Sequence, residues 1–260
     1  MRRWLWLAAL LCFSACGGSA PQQPSSAPAG QGPKEASARE RARIHTELGV
    51  SYYEAARPAI ALAELNEAIR IDRSYAPAWG ARALVYMELG EDRKAEADFK
   101  QAMRVDPNDS DTKNNYGLFL CQRNRGKEGI RYFLEALKNP LYQTPDVAYK
   151  NAGLCSRDMG DRKGAEEFFQ RALRANPNQP QALYSMADLS FARDDFAGAK
   201  QYLDRYMRAV PTPGPEALWL GARLERKLGD RTAMLSYGNQ LRRRFPSAPE
   251  TKAFLEGRFQ

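Results

Sequence analysis

The sequence predicts an all-α fold, a solenoid of about six helical hairpins, and three observations carry that prediction. A small residue recurs at Gly49, Ala83, Gly117, Gly153, Ala187 and Gly221, at steps of 34, 34, 36, 34 and 34 residues. Twelve positions after each comes a second small residue (Ala61, Ala95, Gly129, Ala165, Ala199 and Ala233), and four further on a large one (Leu65, Phe99, Phe133, Phe169, Leu203 and Tyr237). Ala68, Ala102, Ala136 and Ala172 lie three beyond the first four of these. Pro107, Pro177 and Pro211 then close three of the units, because proline cannot continue a helix. Small residues at fixed spacing let paired helices approach, and large ones fill the space between them.

Taken from the N-terminus, Met1–Arg3 is a short positive segment and Trp4–Phe13 an apolar run. That run is too short for a permanent membrane helix, which needs about 20 apolar residues. Ser14-Ala15-Cys16 then resembles the lipobox of bacterial lipoproteins, with Phe13 where leucine is usual. The resemblance implies a signal peptide over 1–15, cleavage before Cys16 and acylation of the Cys16 thiol, with several acyl chains giving stable anchoring. The alternative is an ordinary secretory leader cut near Ala15. Gly17 after the cysteine, rather than aspartate, resembles lipoproteins sorted to the outer membrane. From Gly17 to Pro33 there is no aromatic or β-branched residue, which predicts a flexible linker within 16–38.

The folded part is expected over 39–260, with repeats near 42–75, 76–109, 110–145, 146–179, 180–213 and 214–247 and a cap over 248–260. Its residues resemble the tetratricopeptide repeat, which implies a right-handed solenoid whose first helices line the concave face. The second unit matches best, through Trp79, Ala83, Tyr86, Ala95, Phe99, Ala102 and Pro107. Its helices are predicted at about Ala76–Leu89 and Arg93–Val105, separated by a Gly90-Glu91-Asp92 turn. Gly160-Asp161 and Gly229-Asp230 make the same turn in the fourth and sixth units. Gln240 stands where the last unit should carry alanine, and Phe254 and Leu255 are assigned to a capping turn. The third unit ends in a two-residue insertion, expected to project as a loop between Lys138 and Asp146.

Formal charge is +8, and removing Arg2 and Arg3 with a leader leaves about +6. No Lys/Arg block tracks a phosphate backbone, so no nucleic-acid partner is expected. Nor is any cofactor, small-molecule substrate, metal or catalytic residue. His45, the single histidine, cannot build a multi-ligand metal site and is read as structural or surface. Neither a phosphate-binding loop nor a dinucleotide fingerprint is present. Glu166-Glu167 and Asp194-Asp195 are adjacent in sequence and do not face each other. The chain reads as a non-enzyme.

Three further stretches go beyond the generic repeat: NNYGLFLC (Asn114 to Cys121), NPLY (Asn139 to Tyr142) and NAGLC (Asn151 to Cys155). With the leader, lipobox, six repeats and insertion, they resemble the PilF/PilW family of type IV pilus biogenesis lipoproteins, which includes Tgl of gliding bacteria. The first unit departs from that family, with Arg57-Pro58 at the turn and Arg73 in place of the closing proline. The resemblance implies a pilotin at the inner leaflet of the outer membrane, facing the periplasm, which helps secretin subunits of the type IV pilus machine reach that membrane and multimerise, in support of twitching or social motility. The rival reading is a periplasmic scaffold lipoprotein for peptidoglycan enzymes or outer-membrane assembly machinery. A partner-binding groove is expected at Asn114, Leu118, Lys150 and Leu154, with Tyr142 on the neighbouring loop; the alternative is that Asn115 and Asn151 only bond neighbouring helix ends. A disulfide between Cys121 and Cys155 is expected in an exported chain once Cys12 is cleaved away and Cys16 acylated, an expectation that leans partly on the resemblance. Two buried thiols are the alternative.

Overall fold

The computed structural model describes residues 37–259. The leader, the Cys16 lipobox and most of the linker lie outside the described residues. Six hairpins follow one another: α1 (Ala38–Glu54) with α2 (Pro58–Ile71), α3 (Ala76–Glu88) with α4 (Asp92–Val105), α5 (Ser110–Gln122) with α6 (Gly126–Ala136), α7 (Pro145–Asp158) with α8 (Arg162–Ala175), α9 (Pro180–Ala192) with α10 (Phe196–Ala209), and α11 (Pro215–Leu228) with α12 (Arg231–Arg244). A last short helix, α13 (Pro249–Leu255), packs on α11 and α12. Odd-numbered helices from α1 to α11 each contact the next odd helix, whereas no even helix contacts another even one. The stack therefore curves with its odd helices on the inside.

Sequence explains where each helix starts and stops. Proline opens α2, α3, α7, α9, α11 and α13 within the first two positions, where its missing N–H costs nothing. Asp161, Asp195 and Asp230 cap α8, α10 and α12, accepting from the N–H of Gly164, Gly198 and Ala233 at 2.9, 2.9 and 2.8 Å. The first helix of every hairpin ends on a left-handed residue, followed by an N–H that reaches back five residues. Glycine takes that place at Gly90, Gly160 and Gly229 as expected, but Ala56, Asn124 and Asp194 take it in the other three hairpins. Ala56, at φ 55°, supplies the turn in the unit where Arg57-Pro58 had marked a departure.

The small–large pattern is the packing code within each hairpin. A Cβ on Gly49 would lie 2.6 Å from Leu65, on Gly117 2.7 Å from Phe133, on Gly153 2.5 Å from Phe169 and on Gly221 2.8 Å from Tyr237. Real Cβ contacts are never so short, so each large residue of the second helix lies flat on a glycine of the first. Ala83 with Phe99 and Ala187 with Leu203 make the equivalent pairs inside fully buried clusters.

Two expectations are corrected. The loop before α11 has five residues (210–214) where the loop before α9 has four (176–179), so the step from Asp194 to the left-handed Gly229 is 35 residues. The last unit is thereby shifted on by one position, and Leu241 rather than Gln240 fills its fully buried alanine position. The two-residue insertion does not project as a free loop. Leu141 is 77% exposed, but Tyr142 turns inward and packs with Ala136 and Ala148 between α6 and α7. Burying that ring removes about 150–250 Å² from water, which outweighs leaving it extended.

Candidate binding surface

The residues singled out from sequence cluster where α5 lies beside α7. Cys121 and Cys155 are joined by a disulfide with a Cα–Cα distance of 5.7 Å, which clips the third hairpin to the fourth. The bridge sits on α6: a Cβ on Gly129 would run into the Cys121 sulfur, and one on Gly126 would come 3.3 Å from that of Cys155. Gly129 thus stands where the other hairpins have alanine because the bridge fills the room a methyl group needs. Leu118, half-buried, packs against the same cluster as Phe133, Ala152 and Cys155.

One helical turn before Leu118, Asn114 is 5% exposed. Its side-chain carbonyl accepts from the Asn151 amide at 3.0 Å, and its own amide donates to Asn115 at 3.3 Å. Asn114 is therefore not an open donor–acceptor facing a partner, as the sequence suggested. It is a buried polar clip between α5 and α7, closer to the alternative reading. Tyr142, 9% exposed, is likewise inside the protein. What remains accessible of the predicted surface is Leu118, Lys150 and Leu154, each half-buried. Leu154 packs its inner side against the cluster of Leu183 and Met186. Burial lowers the Lys150 amine below its ordinary range, with Asp146 one turn earlier opposing the shift.

Register extends this strip along the inner face. Leu84, Leu118 and Leu154 hold equivalent places in α3, α5 and α7, and Asp188 takes the place in α9. With Val50 of α1 at the same register, the strip is apolar for four hairpins and then turns acidic. It offers contact area and charge discrimination but no chemistry. Among the described residues no three His, Cys, Asp or Glu side chains are grouped to hold a metal. His45 binds Glu64 through Nδ1 at 2.7 Å, tying α1 to α2.

A tetratricopeptide-repeat family model matches residues 48–206. The type IV pilus assembly protein PilF of Pseudomonas aeruginosa is 33% identical over 217 residues, 83% of this chain and 86% of that one. The chain belongs to the PilF/PilW family. The crystal structure of PilW, a widely conserved type IV pilus biogenesis factor, superposes with a TM-score of 0.74 at 33% identity, covering 82% of this chain and 98% of that one. The structure of Pseudomonas aeruginosa PilF gives 0.78 at 32% identity, covering 85% and 99%. At that coverage the relatives share the whole run of hairpins.

Sequence reading missed two features here. Glycine at 126 and 129 was visible, but its cause, a bridge lying on α6, needs the third dimension. The Asn114–Asn151 clip depends on the relative rotation of two helices 36 residues apart in repeat phase, which the insertion sets.

Proposed function

We propose that this chain is a pilotin: an outer-membrane lipoprotein, anchored through an acylated Cys16 on the periplasmic side, that binds secretin subunits of the type IV pilus machine and promotes their localisation and multimerisation. The observation that carries this reading is 33% identity to a type IV pilus assembly protein across 83% of the chain. An inner face built from stacked odd helices supports it physically. Such a face presents a long, preformed surface to an extended or helical partner segment, and holding it rigid in advance reduces the ordering cost of binding. The protein acts by binding alone, with Leu118, Lys150 and Leu154 as the groove contacts and the Cys121–Cys155 bridge keeping α5 and α7 in register.

The test is deletion of the chain in its own host, followed by electrophoresis of unheated membranes probed for secretin. Loss of secretin multimers, restored by wild-type protein and not by Leu118→Asp with Leu154→Asp, is the expected result. Intact multimers with an altered cell wall overturn the pilotin reading and favour a general periplasmic scaffold. Labelling with radioactive palmitate tests the anchor separately: wild-type protein takes up label, and Cys16→Ala does not.

A further inference from the structure

The C-terminal end of the solenoid holds a second, differently built site. Trp219, Arg223, Arg226 and Lys227 recur at helical spacing on one side of α11, facing Arg258 and Phe259 of the C-terminal segment. Together they line a cavity of about 890 Å³, the size of small-ligand and peptide pockets. A smaller cavity of about 280 Å³, lined by Met234 and Phe259, adjoins it through Arg226.

Four cations crowd this pocket, and among the described residues only one of them has a counter-ion. Arg258 pairs with Glu256, at a distance of 2.5 Å. Glu225, next along α11, is buried and committed to Lys200 at 2.7 Å. Among the described residues no carboxylate pairs with Arg223, Arg226 or Lys227. Aromatic faces hold them instead: Arg223 lies 4.5 Å over Phe191, Arg226 4.3 Å over Phe259 and Lys227 5.7 Å over Phe196. Cations in the last turn of a helix complement its dipole, which accounts for Arg226 and Lys227. It does not account for Arg223, one turn further in, whose Nε is buried with no hydrogen-bond acceptor. A buried guanidinium N–H left unmade is costly, and few such groups persist in a native protein without a reason.

We propose that this pocket binds a carboxylate-bearing peptide segment, its acidic side chains on Arg223 and Arg226 and an adjacent apolar side chain against Met234 and Phe259. Guanidinium forks match carboxylates two bonds at a time. The paired cavities set a cationic wall beside an apolar one. The apolar wall of Met234 and Phe259 beside the cations suits a segment carrying both an acidic and an apolar side chain better than a compact phosphate. Arg223 lies six residues before Gly229, as Leu118, Leu154 and Asp188 lie six before Asn124, Gly160 and Asp194, so the pocket continues the odd-helix strip at its C-terminal end and adds a second anchor for an acidic partner segment.

The test uses the full chain and fluorescence anisotropy with a fluorescein-labelled pentapeptide alternating glutamate and phenylalanine. Binding is expected, weakened at least about tenfold for the glutamine counterpart and about fivefold by Arg226→Gln with Lys227→Gln. Both residues are exposed, so this pair leaves folding intact. Arg223→Gln is expected to weaken it about tenfold. Equal affinity for the two peptides, or binding indifferent to the exposed pair, overturns the proposal. So does displacement of the peptide by inorganic phosphate, or capture of the chain by phosphatidylglycerol vesicles that depends on the exposed pair in the absence of peptide binding. Secretin multimers lost with Leu118→Asp but retained with Arg226→Gln and Lys227→Gln would leave the pilotin reading standing whichever way the peptide test falls.

Discussion

Gly117 and Gly129 bring the backbones of α5 and α6 together: a Cβ on Gly129 would lie 2.6 Å from the Gly117 carbonyl oxygen, and one on Gly117 2.9 Å from that of Gly129. The Cys121 sulfur occupies the remaining side of the crossing. Gly129→Ala forces both a backbone and a bridge to move, and overpacking of this kind costs about 1–3 kcal/mol. Urea midpoints measure it. Removing the bridge with Cys121→Ala is expected to relieve part of the penalty and not all, since the carbonyl contact remains.

The bridge itself closes a loop of 34 residues. By the chain-entropy relation its removal in Cys121→Ser with Cys155→Ser destabilises by roughly 3–4 kcal/mol. Intact mass after non-reducing alkylation of exported protein should show neither thiol modified, and both modified after reduction. Two reactive thiols in unreduced protein would refute the bridge.

Asn114 and Asn151 form a buried pair at 3.0 Å. Either alanine variant strands the partner amide and costs about 1–3 kcal/mol, with the double variant less than additive because nothing is left unpaired. A thermal-denaturation cycle reads this coupling. Loss of partner binding in Asn114→Ala alone therefore reports lost stability, and surface tests belong at Leu118 and Leu154.

Ala56 holds a left-handed φ of 55° on an exposed turn. L-residues pay roughly 1–2 kcal/mol there, and glycine pays about 0.5–1 kcal/mol more entropy on folding. Ala56→Gly is thus expected to stabilise by about 0.5 kcal/mol, and Gly90→Ala to destabilise by about 1 kcal/mol. A fall in stability for Ala56→Gly in urea titration would contradict the turn geometry.

Glu96 joins the second hairpin to the third, accepting from Tyr116 at 2.9 Å and Arg125 at 3.0 Å and pairing with Lys100 at 2.8 Å. The Lys100 bond does most to lower its carboxyl to about 2; burial opposes, and Arg125 and Tyr116 reinforce. A depressed folded pKa means the carboxylate stabilises fully above its unfolded value near 4.5, and that this contribution is lost as pH falls from there towards about 2. Stability measured from pH 6 downwards should drop across that window (about 4.5 to 2), and Glu96→Gln should flatten the drop.

The sequence by itself determined the hairpin count, the glycine-marked turns and the small–large pairs, because these are local: each is settled within one 34-residue unit by periodicity and by the room a side chain needs. It also carried the family, since NNYGLFLC and NAGLC are chain motifs. Tertiary structure alone decided whatever depends on how one helix is rotated against another. Alanine, asparagine and aspartate at 56, 124 and 194 carry no glycine signal, yet the hairpin geometry drives all three into the left-handed region. One extra residue in the loop before α11 put Leu241 in place of Gln240 at the buried position, and the insertion buried Tyr142 while rotating Asn151 onto Asn114. The cations of α11 are visible in the sequence as an ordinary basic helix end. That Arg223 lacks an acceptor, and that the tail folds Phe259 over Arg226, follows only from packing between segments far apart in the chain.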